Sequence, residues 1–276
     1  MNLPVKAAER VRNALKRFQP IIQSAKSRDV NESDTVVIVT DMLEYIFGYD
    51  KYTEITSEHA IRGTFCDLAV KLDGNVAFLA EIKAIGLELK EQHIKQAVDY
   101  AANQGVEWVC LTNGDEWRVY KLSFGKPINS ELVVRFNLLA LNSKNAADID
   151  MLGLLAKEGW QKARLEQHHS VQQIVNKFTI GAVLLSEPVV SVVRRELRRL
   201  SAAVKVDDDE IKRYLKNDVI KREVLEGDKA VVARKQVAKA EKKALRKARE
   251  NSPAGKIPAN ETEDQEQEVL QQNAGL

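Results

Sequence analysis

TFCDLAVKLDGNVAFLAEIKA, residues 64–84, is the stretch whose reading decides the fold. Thr64 to Leu72 and Val76 to Ala84 have the two-residue period of strands, and Asp73-Gly74-Asn75 between them is a tight-turn signal. With a three-residue loop, Leu72 faces Val76 and pairing runs outward until Asp67 lies across from Glu81. Alternation then puts Asp67, Ala69, Glu81 and Lys83 on one face and Leu68, Val70, Phe78 and Ile82 on the other. The second set is the better core surface, which supports this register independently. A two-residue loop would shift the pairing by one and break the alignment.

Two carboxylates directly opposite on a sheet have Cβ atoms roughly 4.5–5.5 Å apart and repel each other. A divalent cation offsets that repulsion, because Mg²⁺ takes one or two carboxylates and completes its shell with waters and phosphate oxygens. Lys83, two residues beyond Glu81, is placed to contact an attacking water or a scissile phosphate. Polar side chains on an open sheet face are the ordinary alternative. Against it, Glu81 and Lys83 interrupt a run that is otherwise apolar on both faces, where unpaired charge is costly.

Working outward, Val5 to Ala25 spaces Val5, Ala8, Val11, Leu15, Phe18 and Ile22 as an amphipathic helix, with a bend expected at Pro20. A second helix carries Val39, Met42, Leu43, Ile46 and Phe47, with Asn31 or Ser33 as its cap and Gly48 as its stop. A third runs from about Glu88 to Gln104. Trp108 to Thr112 and Trp117 to Leu122 are strands around Asn113-Gly114, another hairpin signal. The expected fold class is α/β: a central mixed sheet flanked by helices, then a mostly helical C-terminal region and a disordered tail. The expected divisions are an N-terminal helix at 1–30, the α/β domain at 31–142, a helical accessory region at 143–250 and the tail at 251–276.

Phe-Cys-Asp67 followed by Ala-Glu81-Ile-Lys83 resembles the core of PD-(D/E)xK nucleases, with Cys66 where a proline is usual. Gln96-Ala-Val-Asp-Tyr100 is similar to the Q-x-x-x-Y element in the N-terminal nuclease domain of type I restriction enzyme R subunits. Asn31-Glu32-Ser33-Asp34-Thr35 and the helix end at Gly48-Tyr49 resemble further pieces of that domain. The resemblance spans about Asn31 to Leu122. It implies a restriction-endonuclease-like fold, Asp67 and Glu81 as metal ligands, Lys83 as the catalytic lysine and Glu32 as an accessory acid. Gln96 and Tyr100, one helical turn apart, would steady the site or the DNA. Covering the sheet edge is the plain role for that pair, and a favourable charge at a helix start is the plain role for Glu32. The implied cofactor is Mg²⁺, or Mn²⁺. The implied partners are DNA and other restriction-type or phage-related subunits. Type I R subunits continue into an ATP-driven motor, whereas this sequence has no GxxxxGK[ST] phosphate loop, so no ATP site is expected.

Of the 276 residues, 44% are hydrophobic, enough for a sizeable core, and the net charge of +2 leaves whole-chain electrostatics uninformative about nucleic acid. No apolar run approaches the roughly 20 residues of a membrane span, and no signal peptide is recognisable. Cys66 and Cys110 lack CxxC partners, which fits a reducing cytoplasm. His168 and His169 read as exposed polar residues on a helix, and His93 as solvent-exposed. Asp209 to Glu250 reads as one long helical pattern whose basic residues, Lys235 to Arg249, either neutralise phosphates or face solvent. Arg194-Arg195 and Arg198-Arg199 form a second basic stripe with the same two readings. The leading expectation is a Mg²⁺-dependent deoxyribonuclease. The alternative is a nuclease-fold module that binds nucleic acid or recruits a partner without turnover.

Overall fold

The computed structural model describes residues 3–250, apart from 62, 63, 202 and 204; the tail expected at 251–276 lies outside the described residues. The chain divides into two compact units, residues 1–170 and the residues from 171 onward.

The first unit opens with helices α1 (Val5–Ser27) and α2 (Glu32–Tyr45). Strands β1 (Ile55–Ile61), β2 (Thr64–Leu72) and β3 (Asn75–Ile82) follow, then helix α3 (Glu91–Gln104). Strands β4 (Trp108–Thr112), β5 (Glu116–Ser123) and β6 (Asn129–Asn137) complete the sheet. Among the described residues the six strands stand in chain order, antiparallel except for the parallel pair β3–β4. Helix α3 makes the crossover that a parallel pair requires. Helices α4 (Ala146–Leu152), α5 (Lys157–Gln161) and α6 (Arg164–Ile174) come next.

Strands β1 and β6 were not foreseen. β1 has a polar sequence, and the sheet covers it on one edge only by pairing with β2, from Ile55 opposite Val70 to Ile61 opposite Thr64. β6 alternates its burial only near its end, at Val133, Val134 and Phe136.

Both faces of the sheet are covered. On one side Leu68, Val70, Phe78, Ala80 and Ile82 share a core with Val11, Leu15, Phe18 and Ile22 of α1 and with Val39, Met42 and Leu43 of α2. On the other, Ala69, Leu79, Val109 and Leu111 pack with Ile94, Ala97, Tyr100 and Ala101 of α3. The face that carries Ala69 is therefore no more open than its opposite. Each fully buried Leu, Ile or Phe contributes about 1.5–3 kcal/mol, so the double cover fixes the strand faces firmly. Leu152, Leu155 and Leu165 belong to the same core as α1, so the N-terminal helix set apart at 1–30 and the part of the accessory region from 143 to 165 pack with the strands. Helix α1 continues through Pro20, and its buried face includes Ala7 and Ala14, while Val5 is 79% exposed.

Asn31 caps α2, its side chain accepting a hydrogen bond from the Asp34 N–H at 2.9 Å. At the other end Gly48 takes φ +85°. Arg10 donates to the Ile46 and Phe47 carbonyls there and pairs with Glu158 at 2.6 Å, so a cation sits at the helix C-terminus and ties α1 to α5.

The second unit is helical: α7 (Lys177–Leu184), α8 (Glu187–Leu200), α9 (Asp208–Tyr214), α10 (Arg222–Leu225) and α11 (Asp228–Glu250). The single long helix expected from Asp209 is broken. A π-helical turn spans Leu215–Val219, and Gly227, at φ +84°, separates α10 from α11. Among the described residues no helix is long and apolar enough to cross a membrane.

Candidate nuclease site

The register of β2 against β3 decides where the carboxylates lie. The loop has two residues, not three: Leu72 pairs with Asn75, and both Asp73 (φ 49°) and Gly74 (φ 80°) are left-handed. Asp-Gly suits a type I′ turn, whose twist matches the strands it joins, and that preference overrides the expected longer loop. Pairing starts one step off the expected register, with Lys71 opposite Val76. A bulge then leaves Ala77 unpaired, and from Val70 opposite Phe78 the ladder returns to the expected alignment. The last paired residues are Leu68 and Ala80, and one further step brings Asp67 level with Glu81. Asp67 Oδ2 accepts a hydrogen bond from the Ile82 N–H at 2.6 Å, so its side chain takes over a contact the ladder would otherwise make.

Glu81 is only 3% exposed. Its Oε1 lies 2.8 Å from Lys83 Nζ, which is also 3.5 Å from Oε2 of Glu32. Glu32 is the first residue of α2, so the cap that starts that helix also delivers a third acid to the rim. Burial raises the Asp67 pKa from its ordinary value, opposed by the Ile82 hydrogen bond and Lys83, with Glu32 adding to the rise. Burial likewise raises Glu81, opposed by Lys83 and reinforced by Asp67 and Glu32. For Lys83 burial works against the charge, but Glu81, Glu32 and Asp67 outweigh it and the pKa is raised. Carboxylates desolvated in this way beside a fixed cation are typical of functional sites.

Asp67 Oδ1 and Glu81 Oε2 carry no hydrogen bond among the described residues. Two carboxylate oxygens of this kind form a hard donor set, suited in chemistry to Mg²⁺ or Mn²⁺. Among the described residues, no group of three or more His, Cys, Asp or Glu side chains is gathered as a metal-binding cluster.

Tyr100 is buried in the layer beneath α3, in the same core cluster as Cys66, and Gln96, one turn earlier, is exposed. His93 accepts a hydrogen bond from the Lys90 N–H at 3.1 Å and so caps α3. His168 and His169 are half-buried, not exposed; His169 lies against Trp108 and 3.1 Å from Glu131. Cys66 was read as a replaced proline and as a cysteine without a CxxC partner. Its thiol donates to the Ala80 carbonyl at 3.1 Å, and burial, with the charges of Glu81 and Asp67, pushes its pKa up to about 12. It braces the strand junction beside Asp67 as a neutral thiol. Nothing in the local sequence signalled that contact, because a thiol donating to a carbonyl of the neighbouring strand leaves no pattern in either strand.

Residues 48–133 match the family model of the type I restriction enzyme R protein N terminus. The matched stretch contains Asp67, Glu81, Lys83, Gln96 and Tyr100, and Glu32 precedes it. The match supports a restriction-enzyme-like nuclease domain in this part of the chain. No curated protein and no solved structure matches the sequence.

Proposed function

We propose that the first unit is a metal-dependent DNA endonuclease. The observation that carries this reading is the desolvated Asp67–Glu81 pair with Lys83 Nζ 2.8 Å from Glu81. Asp67 and Glu81 would hold Mg²⁺, or Mn²⁺, through the oxygens their present hydrogen bonds leave over. When bound, that cation supplies Lewis-acid activation of water and neutralises charge on a phosphodiester. Lys83, kept protonated by its three acidic neighbours, donates to the phosphate oxygen on which charge develops. Glu32 holds Lys83 from the α2 side and sets the direction of its ammonium. Gln96, exposed on α3, would face the DNA, whereas Tyr100 supports the layer below. DNA and the subunits of a restriction-type system are the proposed partners.

One observation favours a second reading, a module that binds without turnover: the Glu81 charge is already met by Lys83, without any cation. The two separate in a single assay. Purified protein should nick or degrade DNA in Mg²⁺ or Mn²⁺ and stop with a chelator. Glu81→Ala and Lys83→Ala should each lower the rate by on the order of 10²–10³ while DNA binding persists. Binding without cleavage by the unaltered protein, across both metals, would select the second reading.

A further inference from the structure

Helix α11 carries a row of cations that the described chain does not neutralise. At 3.6 residues per turn, Lys235, Lys239, Lys242 and Arg246 follow one another at steps of four, three and four and share one narrow face, with Lys243 and Lys247 beside them. All six are exposed. The opposite face holds Ala230 and Ala233, both buried, followed by the partly covered Val237 and Glu241, and α11 packs on α7. Glu241, the sole acid between Lys229 and Arg249, is therefore on the packed side. Among the described residues no ion pair reaches any of the six.

Helix α8 shows what a solvated basic helix looks like in the same unit. There Arg194 pairs with Asp208, and Arg195 and Arg199 both pair with Glu196. In α11, neighbours such as Lys235 and Lys239, or Lys242 and Arg246, repel one another at helical contact distance, which destabilises a free helix. A polyanion laid along the row removes that repulsion.

We propose that this face of α11 binds the phosphate backbone of DNA. The row from Lys235 to Arg246 is about 16 Å long, enough to face roughly ten phosphate charges of a duplex. The face away from the cations is rich in alanine and its first turns are packed on α7, so it offers no row of large apolar side chains to a bilayer, as a membrane-lying helix would. The choice of DNA among polyanions rests on the nuclease reading; the charge geometry stands without it.

The test is fluorescence anisotropy of a labelled duplex with the full chain in EDTA, across a KCl series. Lys235→Gln/Lys239→Gln/Lys242→Gln/Arg246→Gln should reduce the slope of log K against log salt by about 3–4 and weaken binding at 50 mM salt on the order of 10²-fold. Glutamine keeps helix propensity, and circular dichroism checks that the helix remains. If it is lost, Lys242→Gln/Arg246→Gln should still remove about half of that slope change. The quadruple variant should cleave at saturating DNA, and Glu81→Ala should bind with the unaltered slope, so failure of the site and failure of the stripe are distinguishable. An unchanged slope and affinity, or unaltered protein that prefers phosphatidylserine vesicles to duplex, would overturn the proposal.

Discussion

The hairpins β2–β3 and β4–β5 are both joined by short glycine-containing turns, yet they are held in opposite ways. The β4–β5 turn is buried and bonded throughout. Asn113 Oδ1 accepts from the N–H groups of Asp115 and Glu116, Thr112 Oγ1 accepts from Gly114, and the Trp117 indole donates to the Gly114 carbonyl. Asp115, 4% exposed, pairs with Lys26 at 2.7 Å and accepts from the Leu139 N–H. The β2–β3 turn stands in solvent, and its register is corrected downstream by the Ala77 bulge. The first turn anchors the sheet to α1. In the second hairpin the turn matters less than the two buried faces, which determine how Asp67 meets Glu81.

That contrast is open to a direct break. An alanine inserted between Phe78 and Leu79 moves Glu81 one step past Asp67 and turns its side chain to the opposite face. DNA cleavage should fall by on the order of 10²–10³ or more. Deleting Ala77 only regularises the ladder, so it should leave cleavage close to the starting rate. A gel assay on both variants decides the matter; if deletion and insertion are equally harmful, the bulge itself, and not the register, carries the site.

The anchoring role of the other hairpin predicts a large effect on stability instead. Asp115→Ala strands the Leu139 N–H and frees Lys26, at a cost of about 2–3 kcal/mol. At about 2–4 °C per kcal/mol the melting temperature should drop by several degrees, with cleavage below that temperature unchanged. A loss of cleavage without a loss of stability would contradict the division of labour.

The smallest effect is expected from Asp67→Asn, which keeps an acceptor for the Ile82 N–H and removes a half-buried charge. The folded-state pKa values of Asp67 and Glu81 are raised, so they favour the fold in acid, and that contribution is lost as pH rises through those values. The variant should therefore melt slightly above the unaltered protein at pH 7, and the gap should close as pH falls below about 4, where the carboxyl is protonated in both states. Thermal melts over pH 3–8 check it; a variant that is less stable at pH 7 would show that the Asp67 charge contributes to holding the fold.

Much of this arrangement was legible in residues 64–84. Alternation identified both strands, the core face of Leu68, Val70, Phe78 and Ile82, and the alignment of Asp67 with Glu81. The reason given for that alignment was incomplete, because a two-residue turn and a one-residue bulge cancel, and no local signal marks Ala77 as the extra residue. β1 and β6 were missed because edge strands need only one buried partner and so tolerate polar sequence. The half-burial of His169 against Trp108 was hidden because it depends on a contact 61 positions away in sequence, from 108 to 169. The basic row of α11 was visible as composition. Its isolation from acids emerged only once Glu241 was placed on the packed face.

If Asp67 and Glu81 together make a cation site, titrating Mn²⁺ into the full chain at pH 7.5 detects it without DNA or turnover. Calorimetry or Mn²⁺ electron paramagnetic resonance should find a bound ion in the unaltered protein, weakened as pH falls toward the raised carboxyl pKa values. Asp67→Asn and Glu81→Gln should each abolish it. No binding by the unaltered protein, or binding that survives in both variants, would contradict the claim.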